Sequence, residues 1–366
     1  AMSSGTGTIK ATDSYSEYAI RGGFFRVNYN YLDKYLLEVN GRYDGSSKFP
    51  KSSRFGFFPS VSAGWQIAQE RFMNSTRHWL DGLKLRASYG VIGNQNINPY
   101  TFTPSMSVNN KATSWIIDDT YVTSISSLPA LVSQNFTWEK VGTINVGLDV
   151  NLFNNRLSGV FEWYQRNTNG MLAPGVQLPA VVGASAPYQN TADMRTRGWE
   201  LSLNWRDQIG KVGYRIGFNL SDYKSEIIKY DDNAATKLLS SYYPGQTLGE
   251  IWGYVVDGYY TVDDFVDTSS WQLKEGVTSI NGYNVRPGDV KFKNLRDDDT
   301  STNVITSGDN TFDNPGDRKV IGNTTPRYQY GINLGMNYAG FDLNVILQGT
   351  GKRDYWISNV LTFPMN

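Results

Sequence analysis

The side chains best equipped for chemistry in this chain are carboxylates, indoles and phenols, because the other common tools are scarce. Histidine occurs once, at His78 beside Trp79, and cysteine not at all. Ser-His triads, histidine-based zinc sites and thiolate chemistry therefore lack their parts. No carboxylate pair stands out as a general acid and base, so an enzyme is not expected. The most acidic stretch is DVKFKNLRDDDTSTNVITSGDNTFDNPGDRKVIGN, residues 289–323. Alternating oxygens around a tight glycine turn can wrap a hard cation such as calcium, and Asp297 and Asp299 are the candidate ligands. Thr300 follows Asp299 where a glycine would be needed, and Asp309, Asp313 and Asp317 come only after an insertion. A solvated acidic loop fits this stretch better than a metal site, and no cofactor is expected.

Indoles and phenols offer flat platforms for sugar faces, with amides and carboxylates for the hydroxyls. Trp115, Trp138, Tyr242, Tyr243, Trp252 and Trp271 are the candidates, and NQNINPY (94–100) and SYYPGQTLGEIWGYVVDGYY (241–260) are the stretches richest in such groups. Packing within loops, or against a lid, is the plainer role for each. GVIGNQN is not a nucleotide loop, since no helix follows to receive a phosphate.

The elements that must carry these groups are strands. In RVNYNYLDKYLLEVNGR (26–42), Val27, Tyr29, Tyr31, Tyr35, Leu37 and Val39 form one row and Arg26, Asn28, Asn30, Glu38, Asn40 and Arg42 the other, with Leu36 as the exception. The pattern returns with Lys84 and Arg86 opposite Leu83 and Leu85, Glu162 opposite Phe161 and Trp163, and Glu200, Asn204 and Arg206 opposite Leu201, Leu203 and Trp205. It returns again with Asn333 and Asn337 opposite Ile332, Leu334 and Met336. This reading gives about ten strands in five hairpins. Short turns join the strands within hairpins, whereas the stretches 91–137, 167–197 and 222–325 read as long loops.

Composition decides between the ways of wetting those rows. Lys+Arg and Asp+Glu are both 34, so no global field attracts a polyanion, and nucleic acid is disfavoured as a partner. No apolar run is long enough for a spanning helix, and a mean hydropathy of −0.43 resembles that of soluble proteins. A transmembrane barrel, however, shows lipid only every second residue and averages out the same way. Ten residues from Tyr328 to Tyr338, at about 3.3 Å each and a tilt of about 40°, span roughly 25 Å, the height of a lipid-facing band with an aromatic residue at each interface. The opposite row, Gln329, Gly331, Asn333, Gly335 and Asn337, is too polar for a closed dry core. A barrel wall with a wet lumen is the expectation; a secreted soluble β-sheet domain that binds glycans or acts as an adhesin is the alternative.

Five stretches carry a family resemblance: YLLEVNGRYDGSSKFP (35–50), FGFFPSVSAGWQIAQERFM (55–73), LDGLKLRASYGVIGNQNI (80–97), PGDVKFKNL (287–295) and DRKVIGNTTPRYQYGINLGMNYAGFDLNVILQGTGKRDYW (317–356). Together they resemble the barrel of SusC/RagA-family TonB-dependent transporters of Bacteroidetes outer membranes. The resemblance implies an all-β, antiparallel transmembrane barrel of roughly 22 strands, of which this chain holds about ten. It also implies a plug domain before residue 1 and final strands after Asn366. The implied activity is import of oligosaccharides or peptides, with a SusD-like surface lipoprotein as lid and the TonB-ExbB-ExbD complex acting through the plug. Members often carry a calcium-loop-like D-x-N-G-D-G element where this chain has Asp297 to Thr300, a departure that puts a cation there in doubt.

Overall fold

The computed structural model describes residues 15–105, 108–109, 116–117, 120–121, 125–126, 131–133, 136–233, 235–239, 242–296 and 303–357. Ten strands form one antiparallel sheet: β1 (Ile20–Tyr31), β2 (Tyr35–Ser46), β3 (Phe55–Gln66), β4 (Leu80–Asn94), β5 (Glu139–Leu152), β6 (Leu157–Pro174), β7 (Tyr188–Ile209), β8 (Val212–Tyr230), β9 (Arg327–Tyr338) and β10 (Phe341–Lys352). Their order in the sheet is their order in the chain, with β1 and β10 as its edges. In such a meander a tight turn can join neighbouring strands, and the residues at two of the hairpins supply one. Ala339 and Gly340 both take positive φ between β9 and β10, the geometry a two-residue hairpin turn requires. Between β1 and β2, Leu32 and Asp33 do the same, and the Asn30 Oδ1 atom accepts from the Asp33 N–H at 3.0 Å.

The register keeps the two rows apart over the whole sheet. Val27 faces Val39, then Val61, Tyr89 and Ile144 in successive strands, while Asn28 faces Glu38, Ser62, Ser88 and Asn145. Farther along, Leu148, Phe161, Leu201, Leu220 and Tyr330 align, and beside them Gly147, Glu162, Glu200, Ser221 and Gln329. The apolar row is not covered as a soluble domain's would be. Val27, Tyr29, Val61, Ile144, Phe161 and Leu334 are 39–58% exposed; on the other face Arg26, Asn28, Asn30 and Asn333 are exposed too, while Glu38, Asn40, Arg86, Asn145 and Glu162 are half-buried.

Two expectations need correction. β6 runs on to Pro174 and β7 starts at Tyr188, so most of 167–197 is strand and the connection is 175–187; likewise β4 reaches Asn94 and β8 reaches Tyr230. Above Trp163 and Trp199 the apolar row turns polar, with Arg197 donating to Gln165 at 2.7 Å, so alternation fades while pairing continues. The β3–β4 connection, in turn, is no tight turn: residues 67–79 hold two 3-10 segments.

The 231–326 connection folds on itself. Glu250–Tyr254 pairs with Arg318–Asn323, Val256–Tyr259 with Val290–Phe292, and Ser279–Ile280 with Val304–Ile305. Tyr260, Phe265 and Val285 are buried there, with Trp271, Leu273, Val277 and Ile280 packed around them.

Candidate functional site

The polar face of the sheet carries the site. Strand parity puts Arg26, Asn28, Asn30, Glu38, Asn40, Arg42, Lys84, Arg86, Glu162, Glu200, Asn204, Arg206, Asn333 and Asn337 all on that one face. Long side chains there reach over small ones. Arg86 on β4 and Glu162 on β6 are both in register with Gly147 on β5, and Arg86 lies across that glycine to pair with Glu162. Its Nε donates to Asp149 at 3.1 Å, and the Asn145 Nδ2 atom donates to Glu162 at 3.2 Å. A Cβ on Gly147 would stand 2.7 Å from the Arg86 Cζ atom, so any larger residue there would make the guanidinium shift from this path. Arg215 repeats the device, crossing Gly335 to donate to Asn344 at 2.5 Å.

At the β1–β2 side, Arg26 donates to Asn40 at 2.9 Å and pairs with Glu38 at 3.3 Å, and Asn40 donates to Glu38 at 2.7 Å. Arg42 pairs with Asp44 at 3.0 Å. Arg26, Glu38, Asn40 and Arg42, with Phe58 and Trp138 behind them, line a concavity of about 1000 Å³. The arrangement presents alternating charges and amides to water and holds them in place; it offers hydrogen bonds along a surface and no poised nucleophile. The side chains that link the expected ones, Asp149, Asn145, Arg215 and Asn344, become visible only with the register.

The family model for the TonB dependent receptor-like β-barrel matches residues 3–362. The chain belongs to that family. TonB-dependent receptor P3 of Formosa agariphila is 30% identical over 95% of this chain and 33% of its own length. TonB-dependent receptor SusC of Bacteroides thetaiotaomicron is 35% identical over 56% of this chain and 20% of its own. The RagAB peptide importer in its open-open state superposes with a TM-score of 0.69, at 24% identity, over 92% of this chain and 33% of that one, and shows a shared fold. The chain thus spans about a third of the length of Formosa receptor P3 and of the RagAB chain. It is a stretch of the β-barrel of a TonB-dependent receptor of the outer membrane, similar to SusC in sequence and to RagAB in fold.

Of the expected loop aromatics within the described residues, Tyr243 and Trp252 are brought together, while Trp138 and Trp271 pack in separate clusters. Trp138 is buried with Phe49, Phe58 and Phe136, its ring 4.8 Å from that of Phe49, and its Nε1 donates to the Arg54 carbonyl at 3.0 Å. Tyr243 has no exposed surface; its hydroxyl donates to Glu250 and accepts from the Trp252 Nε1 atom at 2.9 Å. Burial, reinforced by the neighbouring Glu250 carboxylate, pushes the Tyr243 phenol well above its ordinary range. Trp138 and Tyr243 therefore pin loops and offer no free ring face. Trp271 stacks edge-on against Phe265, and Tyr242, half exposed, meets Tyr230 edge-on. Trp115 lies outside the described residues.

The cation candidates Asp297 and Asp299 also lie outside the described residues, and no metal-holding cluster of His, Cys, Asp or Glu occurs among those described. Asp317, fully buried, accepts from the N–H groups of Leu295 at 2.8 Å, Arg296 at 3.2 Å and Thr306 at 2.7 Å. Asp309 accepts from the Thr311 N–H at 3.1 Å and its hydroxyl at 2.7 Å. These carboxylates close turns with backbone donors. His78 is exposed, its Nδ1 3.0 Å from the Ser75 carbonyl and so carrying the proton.

Proposed function

We propose that this chain forms part of the barrel of a transporter that imports oligosaccharides or peptides across the outer membrane. A SusD-like lipoprotein lies over the long loops, and the TonB-ExbB-ExbD complex drives transport through a plug. The observation that carries this reading is the open apolar face of the sheet, backed by a polar face knit by Arg86, Asp149 and Glu162. In a barrel that polar face, from Arg26 to Asn337, lines the lumen, and hydroxyl-rich or peptide cargo exchanges hydrogen bonds with it. Tyr242, Trp252 and Trp271 keep part of their surface open, and are the aromatic contacts we assign to cargo. The surface assigned is one for binding and passage, without catalysis.

The test is growth of a strain lacking the gene on defined glycans or defined peptides as sole nutrient, with restoration by the intact gene. Loss on one class and not the other names the cargo. Unchanged growth and uptake on both overturns the import reading. Partition of the full-length protein into the aqueous phase, monodisperse without detergent, would return the adhesin alternative.

A further inference from the structure

At the turn end of the sheet, the β3–β4 connection departs from its neighbours. After the Gln66 N–H donates to the Lys34 carbonyl at 2.7 Å, the chain makes the 3-10 segments Ile67–Gln69 and Arg71–Thr76. Glu70, between them, accepts from Lys34 Nζ at 3.0 Å, the Tyr35 hydroxyl at 2.8 Å and the Trp65 Nε1 atom at 3.2 Å. Tyr35 and Trp65 are register partners on the apolar face. A carboxylate gripped by that phenol and that indole folds the connection over the rim of the lipid-facing band and away from the lumen.

What the segment then displays suits a membrane interface. Phe72 is 66% exposed and Trp79 39%, and Phe153, whose N–H donates to the Trp79 carbonyl at 2.8 Å, is 44% exposed. Arg71 and Arg77 are exposed, and among the described residues neither guanidinium has a hydrogen bond or an ion pair. Lys34 already neutralises Glu70, so both positive charges remain available. Aromatic groups beside unpaired arginines fit the boundary where acyl chains meet phosphates, since guanidinium forks bind phosphate oxygens bidentately.

We propose that residues 67–79 are a phospholipid-binding clasp on the periplasmic rim, with Phe72 entering the acyl boundary and Arg71 and Arg77 donating to headgroup phosphates. The inference rests on the sheet being an outer-membrane wall whose short turns are periplasmic. The test uses the full-length protein in phosphatidylethanolamine and phosphatidylglycerol vesicles, spin-labelled at Phe72→Cys or, as a control, at Leu334→Cys. At both sites, collisions with oxygen should exceed those with a water-soluble nickel chelate. A Leu334→Cys label in lipid with a Phe72→Cys label in water overturns the clasp and leaves the barrel standing; both labels in water overturns the barrel. In native mass spectrometry the Arg71→Gln/Arg77→Gln variant, checked for heat-modifiable migration, should lose bound phosphatidylglycerol relative to wild type. Equal retention overturns the phosphate contact, and a variant that does not fold overturns it too by placing the arginines in a structural role.

Discussion

Arg86 depends on a neighbour that has no side chain. With Gly147 beneath it, it reaches two strands over to Glu162, which otherwise stands directly opposite Glu200. Arg86→Ala is expected to destabilise the folded full-length protein by about 1–3 kcal/mol, since hydrogen bonds to charged groups are involved and the site is only partly shielded from water. Gly147→Ala should act in the same direction, and the double variant should cost little more than the worse single one, as read from urea unfolding midpoints in lipid. Glu70 gives a pH prediction. Its bond from Lys34, helped by Tyr35 and Trp65, holds its carboxyl below the ordinary glutamate value of 4.5. The contribution is therefore complete above that ordinary value and is lost as pH falls through the lower folded one. Tryptophan emission on acid titration should report release of Trp65, and Glu70→Gln should abolish that step. The row each residue belongs to was legible in the sequence. Its partner was not, because Arg86 and Glu162 meet only through a register that two separate hairpins set together.

Among the elements, the strands were legible where lipid imposes a rule and illegible where it stops. Within the band every second side chain must be apolar, and Leu334 and Asn333 lie on opposite faces of β9. Leu334→Arg should cost about 2–4 kcal/mol near midplane and Asn333→Arg much less, measured by folding into bilayers; equal costs would reverse the face assignment. Above the band Gln165 and Arg197 pair as readily as apolar neighbours do, so the upper turns of β6 and β7 gave no signal. For the loop aromatics the sequence leaves platform and packing both open, because it shows a ring without its burial. Tyr243→Phe removes the hydroxyl shared by Glu250 and Trp252 and should loosen the connection by about 1–3 kcal/mol. Faster proteolysis between residues 242 and 296, with unchanged melting of the sheet, is the expected readout.

For the molecule as a whole, the meander of ten strands followed from the count of alternating segments and the turn residues between them. The internal sheets and buried cluster of 231–326 did not, since they rest on short pairings without period. That connection has its own core and bonds to β8 only above the stretch that pairs with β9: residues 245–248 meet Ser225 and Ile227, whereas β8 and β9 pair from Gly213↔Asn337 to Ser221↔Gln329. Replacing 235–320 with a short linker in the full-length protein should leave a heat-modifiable, membrane-inserted barrel. A wall assembled only from sequence neighbours also constrains how its gene can change. Each doubling of a connection costs only about 0.6 kcal/mol in closure entropy. The long connections can therefore lengthen, shorten or exchange segments by insertion while the staves beneath them keep their alignment.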